Sequence, residues 1–374
     1  MSGNLHNWLN LILTPGLGAA TIRKLLSYFG SPQQILAASK ADLLRCKMLH
    51  DETIDSLHNK RTAMETQRQI DQAARQAVTI LTWDDPAYPT LLREIHNPPL
   101  VIFVKGDPAI IENPGIAVIG ARAASTYGLQ IAQSLSQELA GQGLTIISGM
   151  ALGVDSAAHR GALNANGKTI AILGCGLDIT YPKQNRGLYG QIAAHGALIS
   201  EYPFGTPPDG FRFPARNRII SGLALGVVVV EAARHSGTLI TAQLALDQGR
   251  EVFAVPGRID SVKSEGCHRL AQEGAKLVHS AKDIIDEIKL SIREQSPSIP
   301  PVQAPVLEDL SREAQSILDF LDVYPKNIEE IIMATGFPAN KINEELFMLE
   351  MQGAVVSLPG KQYQRLAEPC KSSV

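Results

Sequence analysis

Residues 210–222, GFRFPARNRIISG, set Arg212, Arg216 and Arg218 within seven positions and interleave them with Phe211 and Phe213. A guanidinium fork pairs with phosphate oxygens in bidentate fashion, and an aromatic ring offers a platform on which an unpaired base stacks. The Gly and Pro punctuation predicts a loop leading into the apolar run LALGVVVVEAA. Cations gathered there suit an anionic ligand.

Four other stretches carry related chemistry. In VIGARAAS (118–125), Arg122 stands where a G-x-G-x-x-G dinucleotide fingerprint needs its second glycine. That disfavours NAD-type binding and leaves an anion site open. SGMALGVDSAAHRGAL (148–163) opens on Ser148 and Gly149, small residues that let a ligand approach the N–H groups at a helix start. Within it, Asp155 and His159 lie four apart and read as a capping carboxylate and a hydrogen-bonded histidine in preference to an acid–base pair. GCGLDITYPKQN (174–185) supplies Tyr181 as a ring, Lys183 as a cation and Asn185 as an amide donor. EAARHSGTLITAQLALDQG (231–249) puts Ser236, Gly237 and Thr238 at a helix start, with Thr241 one turn on. Several anion-friendly loops along one rim fit a polymer of phosphates better than one small nucleotide. No nucleophile–base pair and no metal-ligating cluster stands out, so no catalytic residue, metal or cofactor is expected.

These loops need a scaffold that places them together. From about residue 75, apolar runs such as AVTIL, PLVIFVKG, GIAVIGAR, GLTIISG, KTIAILGCG and GVVVVEAA alternate with helical patterns. Runs apolar throughout predict strands covered on both faces, and such sheets bind ligands at the carboxyl ends of their strands. The predicted fold is α/β: a central doubly wound, Rossmann-like parallel sheet domain over 73–290. Residues 1–72, with Pro15-Gly16-Leu17-Gly18 breaking two short helices, read as a small helical domain of sterile-alpha-motif or helix-hairpin-helix type. Residues 291–310 are a proline-rich linker, and 311–374 give three helices and a two-strand wing, the order of a winged helix. The 374 residues carry a net charge of −3, so affinity for nucleic acid must come from a local patch. Cys46, Cys175, Cys267 and Cys370 form no CxxC pair, which argues against zinc and a disulfide framework. No apolar run reaches the roughly 18 residues of a membrane span. A cytoplasmic protein with no membrane partner is expected.

VIGAR, SGMALGVDSAAHRGAL, LGCGLDITYPKQN, FPARNRIISGLA, HSGTLITAQLALDQGREVFAVPG and SEGCHRLAQEGAKLV, in this order, resemble the bacterial DNA processing protein A (DprA/Smf) family. The resemblance covers about 85–285 and implies a single-stranded DNA-binding recombination mediator. Such a protein protects single strands, acts as a homodimer, and helps load the RecA recombinase past single-strand-binding protein, in natural transformation where that occurs. It assigns DNA contact to Arg122, to Lys183, and to the Phe213, Pro214, Arg216, Asn217 and Arg218 motif. After VPG, many members carry a Gly-Thr-Asn version where this chain reads Ser264-Glu265-Gly266-Cys267-His268. The helix and strand that follow could supply a self-complementary edge, which places the expected dimer contact around His268, Leu270 and Leu277.

Residues 311–374 hold six Lys/Arg against nine Asp/Glu. An acidic recognition helix, PANKINEELFMLE, repels phosphate, so this domain is expected to serve structure or a protein partner and not to read duplex. That counts against a transcription factor. A second reading is a nucleotide phosphoribohydrolase of the lysine-decarboxylase-like group, but the leading glycines of that group's phosphate loop are missing, and Thr241 and Gln243 stand where its acid would be sought. Glu231 reads as a strand-end structural carboxylate.

Overall fold

The computed structural model describes residues 2–295, 311–322, 326–351, 354–358 and 362–365. It forms two compact units, residues 1–290 and 291–374. Of the expected linker, residues 291–295 continue a helix and 296–310 lie outside the described residues, as does Cys370.

The first unit is built on nine strands: β1 (Val78–Thr82), β2 (Val101–Gly106), β3 (Gly115–Ile119), β4 (Thr145–Ser148), β5 (Thr169–Leu173), β6 (Ala197–Ser200), β7 (Gly226–Val229), β8 (Glu251–Ala254) and β9 (Lys276–Leu277). Their order across the sheet is β1-β2-β6-β5-β4-β3-β7-β8-β9. From β3 the chain winds outward through β4, β5 and β6, then returns to lay β7 on the other side of β3. The β3/β7 seam is therefore a topological switch point, where a crevice opens beyond the strand ends. One expectation needs correction. AVTIL and PLVIFVKG form β1 and β2, which pair antiparallel with each other and, through β2, with β6. No long crossover helix joins them, only a four-residue turn of helix at Thr90–Arg93, so the chain reverses and does not wind on.

The helices are α1 (Ser2–Leu13), α2 (Ala19–Phe29), α3 (Pro32–Ala37), α4 (Lys40–Arg45), α5 (Asp51–Leu57), α6 (Lys60–Arg75), α7 (Thr90–Arg93), α8 (Thr126–Gly141), α9 (Val154–Asn164), α10 (Arg186–His195), α11 (Arg212–Gly222), α12 (Gly237–Asp247), α13 (Glu265–Gln272) and α14 (Ala281–Gln295). Alternate residues of each strand feed opposite cores. Ala117, Ile119, Val227 and Val229 meet Ile219 and Ile220 of α11 and Ala242 and Ala245 of α12 on one face. Ile116, Val118 and Val228 meet Leu135 and Leu139 of α8 and Ala158 of α9 on the other. The N-terminal helices do not stand apart from the sheet: Trp8, Leu25 and Leu57 share a core with Phe103, Leu173 and Leu198.

The second unit comprises α15 (Arg312–Phe320), β10 (Lys326–Asn327), α16 (Ile328–Thr335), α17 (Ala339–Met351), β11 (Val355–Leu358) and β12 (Gln362–Arg365). Ile317, Ile331, Ile342, Leu346 and Leu349 form its core. The wing has three strands, because the short β10 adds to the β11/β12 hairpin.

Candidate functional site

A groove of about 1050 Å³ lies over the switch point, lined from β3 and its following loop, from α11, from the start of α12 and from the loop after β8. Arg122 projects from the β3 loop and is exposed. Its guanidinium carbon sits 5.6 Å from the centroid of the Phe213 ring, whose other neighbour is Tyr181, stacked at 5.4 Å and 30°. Tyr181 is 42% exposed. An aromatic pair capped by a cation is a surface on which bases can stack. The same groove is lined by the start of α12, where Ser236 caps the helix by accepting from Thr238 N–H at 3.1 Å. Gly237 and Thr238 reach the groove, and Thr241 lines it from one turn further in.

The stretch 212–222 is helix, not loop. Pro214 sits in the first turn of α11, where its missing N–H breaks no helical bond. This separates the three arginines. Arg212 pairs with Asp209 and lies over the rings of Phe211 and Tyr202. Arg218 forms a two-point pair with Glu201, at 2.6 and 3.1 Å. Arg216 is buried in the groove floor, donating to Gly149 O at 2.6 Å and to Ile172 O. Burial pulls its guanidinium down to about 10, so it stays cationic near neutrality. Asn217 lines the groove beside it, while Phe211 is exposed and outside it.

Three other expected site residues lie beneath the surface. Ser148 donates to Val118 O at 2.7 Å and is fully buried. Gly149 packs so close to Arg216 that a Cβ would fall 2.6 Å from the guanidinium nitrogens. Asn185 is buried and donates from Nδ2 to Met150 O at 2.8 Å and to Ser156 Oγ at 2.9 Å. It holds in place a turn in which Met150 adopts φ +60. Lys183 is exposed, two residues from Tyr181, outside the groove lining. Asp155 accepts from the Gly149 and Ala151 N–H groups, and burial raises its carboxyl, opposed first by Arg216. His159 bonds Thr169 Oγ1 through Nδ1 and is held down to about 3 by burial, so it is neutral. Asp155 thus does not cap α9, whose N-cap is Gly153, but ties down the turn before it, and His159 is a core histidine.

Arg234 and Lys263 also line the groove. Arg234 was legible, since it directly precedes the Ser-Gly-Thr helix start. Lys263 was not, because only the crossover after β8 brings its loop to the rim. Glu231, 4% exposed, accepts from Ser125 N–H at 2.8 Å and Ser125 Oγ at 2.5 Å, tying the end of β7 to the start of α8. Among the expected dimer residues, Leu277 is 52% exposed on β9 at the sheet edge, whereas Leu270 is buried and His268 is half-buried, its Nε2 3.1 Å from Gly257 O.

Residues 79–289 match the DNA recombination-mediator protein A family, and residues 301–361 match the DprA winged helix domain. Protein Smf of Synechocystis sp. is 33% identical, over 96% of this chain and 98% of its own length. DNA processing protein DprA of Streptococcus pneumoniae is 42% identical, over 73% of this chain and 95% of its own. The X-ray structure of the S. pneumoniae protein superposes with a TM-score of 0.61 at 39% identity, covering 75% of this chain and 97% of that one. DNA processing protein A from Helicobacter pylori, whose structure is described for a unique single-stranded DNA binding mode, gives 0.52 at 30% identity, covering 57% and 96%. With the family match spanning the whole sheet and groove, and a relative aligned over nearly the full length, the chain belongs to the DNA recombination-mediator protein A family.

Proposed function

We propose that the switch-point groove binds a single strand of DNA and that the chain works through this contact, without bond chemistry. The carrying observation is that the Arg122–Phe213–Tyr181 stack and the α12 N-terminus line one groove. Stacking platforms serve unpaired bases, which a duplex hides. Arg122, Lys183, Arg234 and Lys263 have no ion-pair partner among the described residues, and so hold their charge for phosphates. Relatives support the reading: the H. pylori neighbour is described by its single-stranded DNA binding. The phosphoribohydrolase reading loses ground because both Glu231 oxygens are bound within the fold and the side chain is sealed from the groove.

We extend the proposal to a homodimer, with Leu277 at the edge strand as its contact, to loading of RecA onto strands occupied by single-strand-binding protein, and to action in the cytoplasm. Fluorescence anisotropy with labelled oligo-dT, over a salt series and against a duplex of equal length, tests the binding. Tight, salt-dependent single-strand binding with weak duplex binding is expected. A folded protein that binds neither, or prefers the duplex, overturns the reading.

A further inference from the structure

The groove that holds Arg122, Phe213 and Tyr181 is also lined by two aliphatic side chains for which a phosphate has no use. Ile240, near the start of α12, is 47% exposed, and Val262, on the loop between β8 and α13, is 63% exposed. Apolar area left in water is costly, and a phosphate gains nothing by covering it. Neither side chain sits on a loose segment. Ile240 is carried by a helix whose Thr241, Ala242 and Ala245 are buried. The loop of Val262 is closed on itself: Ser261 N–H donates to Arg258 O at 3.1 Å, Ser264 N–H to Ser261 O at 2.9 Å, and Ala232 N–H to Lys263 O at 2.8 Å. At its tip Arg258 and Asp260 pair with each other, at 2.9 and 2.7 Å. Along 257–265 two cations, Arg258 and Lys263, balance two acids, Asp260 and Glu265. Charge alone therefore does not account for this stretch of the groove lining.

We propose that Ile240 and Val262 are further base contacts of the groove, aliphatic where the Phe213–Tyr181 pair is aromatic, so that the groove engages a strand through more than one of its bases. The proposal rests on the single-strand reading of the same groove. The faces of unpaired bases are apolar and free, whereas a duplex hides them. Laying such a face on Ile240 or Val262 takes apolar area of both partners out of water. Aliphatic contact ignores the hydrogen-bonding edges of a base, so it accepts any sequence, as stacking does. The order of residues suits a nucleotide repeat. Lys263 directly follows Val262, and Arg234 with the α12 start precedes Ile240. Each short segment thus brings one apolar side chain for a base and one unpaired cation for its phosphate.

Anisotropy with labelled oligo-dT over a salt series compares the wild-type full chain with Ile240→Ser, Val262→Ser and the double variant, and each titration is repeated on an abasic strand of equal length. Both side chains are exposed, so the variants are expected to melt as the wild type does. Each single change is expected to weaken dT binding about fivefold, the scale of burying part of an aliphatic side chain. The factor is expected to be the same at every salt concentration, because apolar contact releases no counterions. On the abasic strand the variants are expected to match the wild type. Ile259→Ser is the control, since Ile259 is 93% exposed on the same loop and outside the groove lining, and it is expected to keep full affinity. Unchanged dT binding by the double variant overturns the proposal. So does an equal loss on the abasic strand, or a loss in Ile259→Ser as large as in Val262→Ser. A loss that tracks a change of oligomeric state in sedimentation also overturns it, and assigns these side chains to a contact between copies. A wild-type chain that binds no dT removes the single-strand reading itself.

Discussion

The arginines of GFRFPARNRIISG look equivalent in the sequence, and three dimensions give each a different task. Arg212 and Arg218 are neutralised by Asp209 and Glu201, and Arg216 is built into the floor. Arg122 on its short loop and Lys183 beyond Tyr181, like Arg234 and Lys263, have no ion-pair partner among the described residues. Arg122→Ala and Lys183→Ala are each expected to weaken oligo-dT binding irrespective of base sequence. Each should lower the salt slope by about 0.7 or less, the share of one phosphate on a single strand. A salt titration of each variant checks this, and an unchanged slope in both would move the contact elsewhere. Arg216→Met behaves differently. It leaves Asp155 buried without its counter-charge and two carbonyls without their donor, so it should cost about 3–5 kcal/mol of stability. Denaturant unfolding measures that loss. A variant as stable as wild type, impaired only in DNA binding, would make Arg216 a DNA contact instead.

At the scale of elements, sequence spacing revealed the loops but not always the state of the chain between them. The glycine and hydroxyl residues of HSGT announce the α12 start, and Ser236 caps it as expected. Pro214 reads as a breaker in the sequence because proline disrupts helix interiors; in the first turn it does not. Once 212–222 is helix, the buried place of Arg216 follows from its spacing with Ile219, Ile220 and Leu223 on one apolar face. β1 and β2 share their all-apolar texture with the parallel strands, so composition alone could not reveal their direction. Close packing was equally hidden. Gly153, at φ +81, caps the start of α9 and lies so near the Arg122 loop that a Cβ would fall 2.3 Å from Ala121 O. Gly153→Ala is expected to lower the melting temperature and to weaken dT binding together, since the strained turn and the Arg122 loop must move as one. Full dT affinity in a destabilised Gly153→Ala chain would uncouple the two.

On the scale of the whole molecule, the groove is drawn entirely from residues 1–290. The winged-helix unit shows an acidic first turn on α16, and exposed Met333, Phe347 and Met348 on α16 and α17. A chain of residues 1–295 should therefore keep the melting behaviour of the first unit and bind oligo-dT within about threefold of the full chain, because the counterions released come from the groove. Anisotropy on both chains checks this, and a larger loss would assign the second unit a share of the DNA contact. The order of assembly is fixed by the same topology. Ile116 pairs with Gly226, so β3 waits for β7 through the synthesis of the whole β4–β6 half of the sheet. At ribosomal rates that interval is on the order of ten seconds. For most of it, the nascent chain carries the Arg122 loop without α11, which is made just before β7, and without the α12 start, which is made just after it. A half-made protein thus carries a cationic loop without its groove, which is complete only when β7 has closed the central seam and the residues up to Lys263 have followed it.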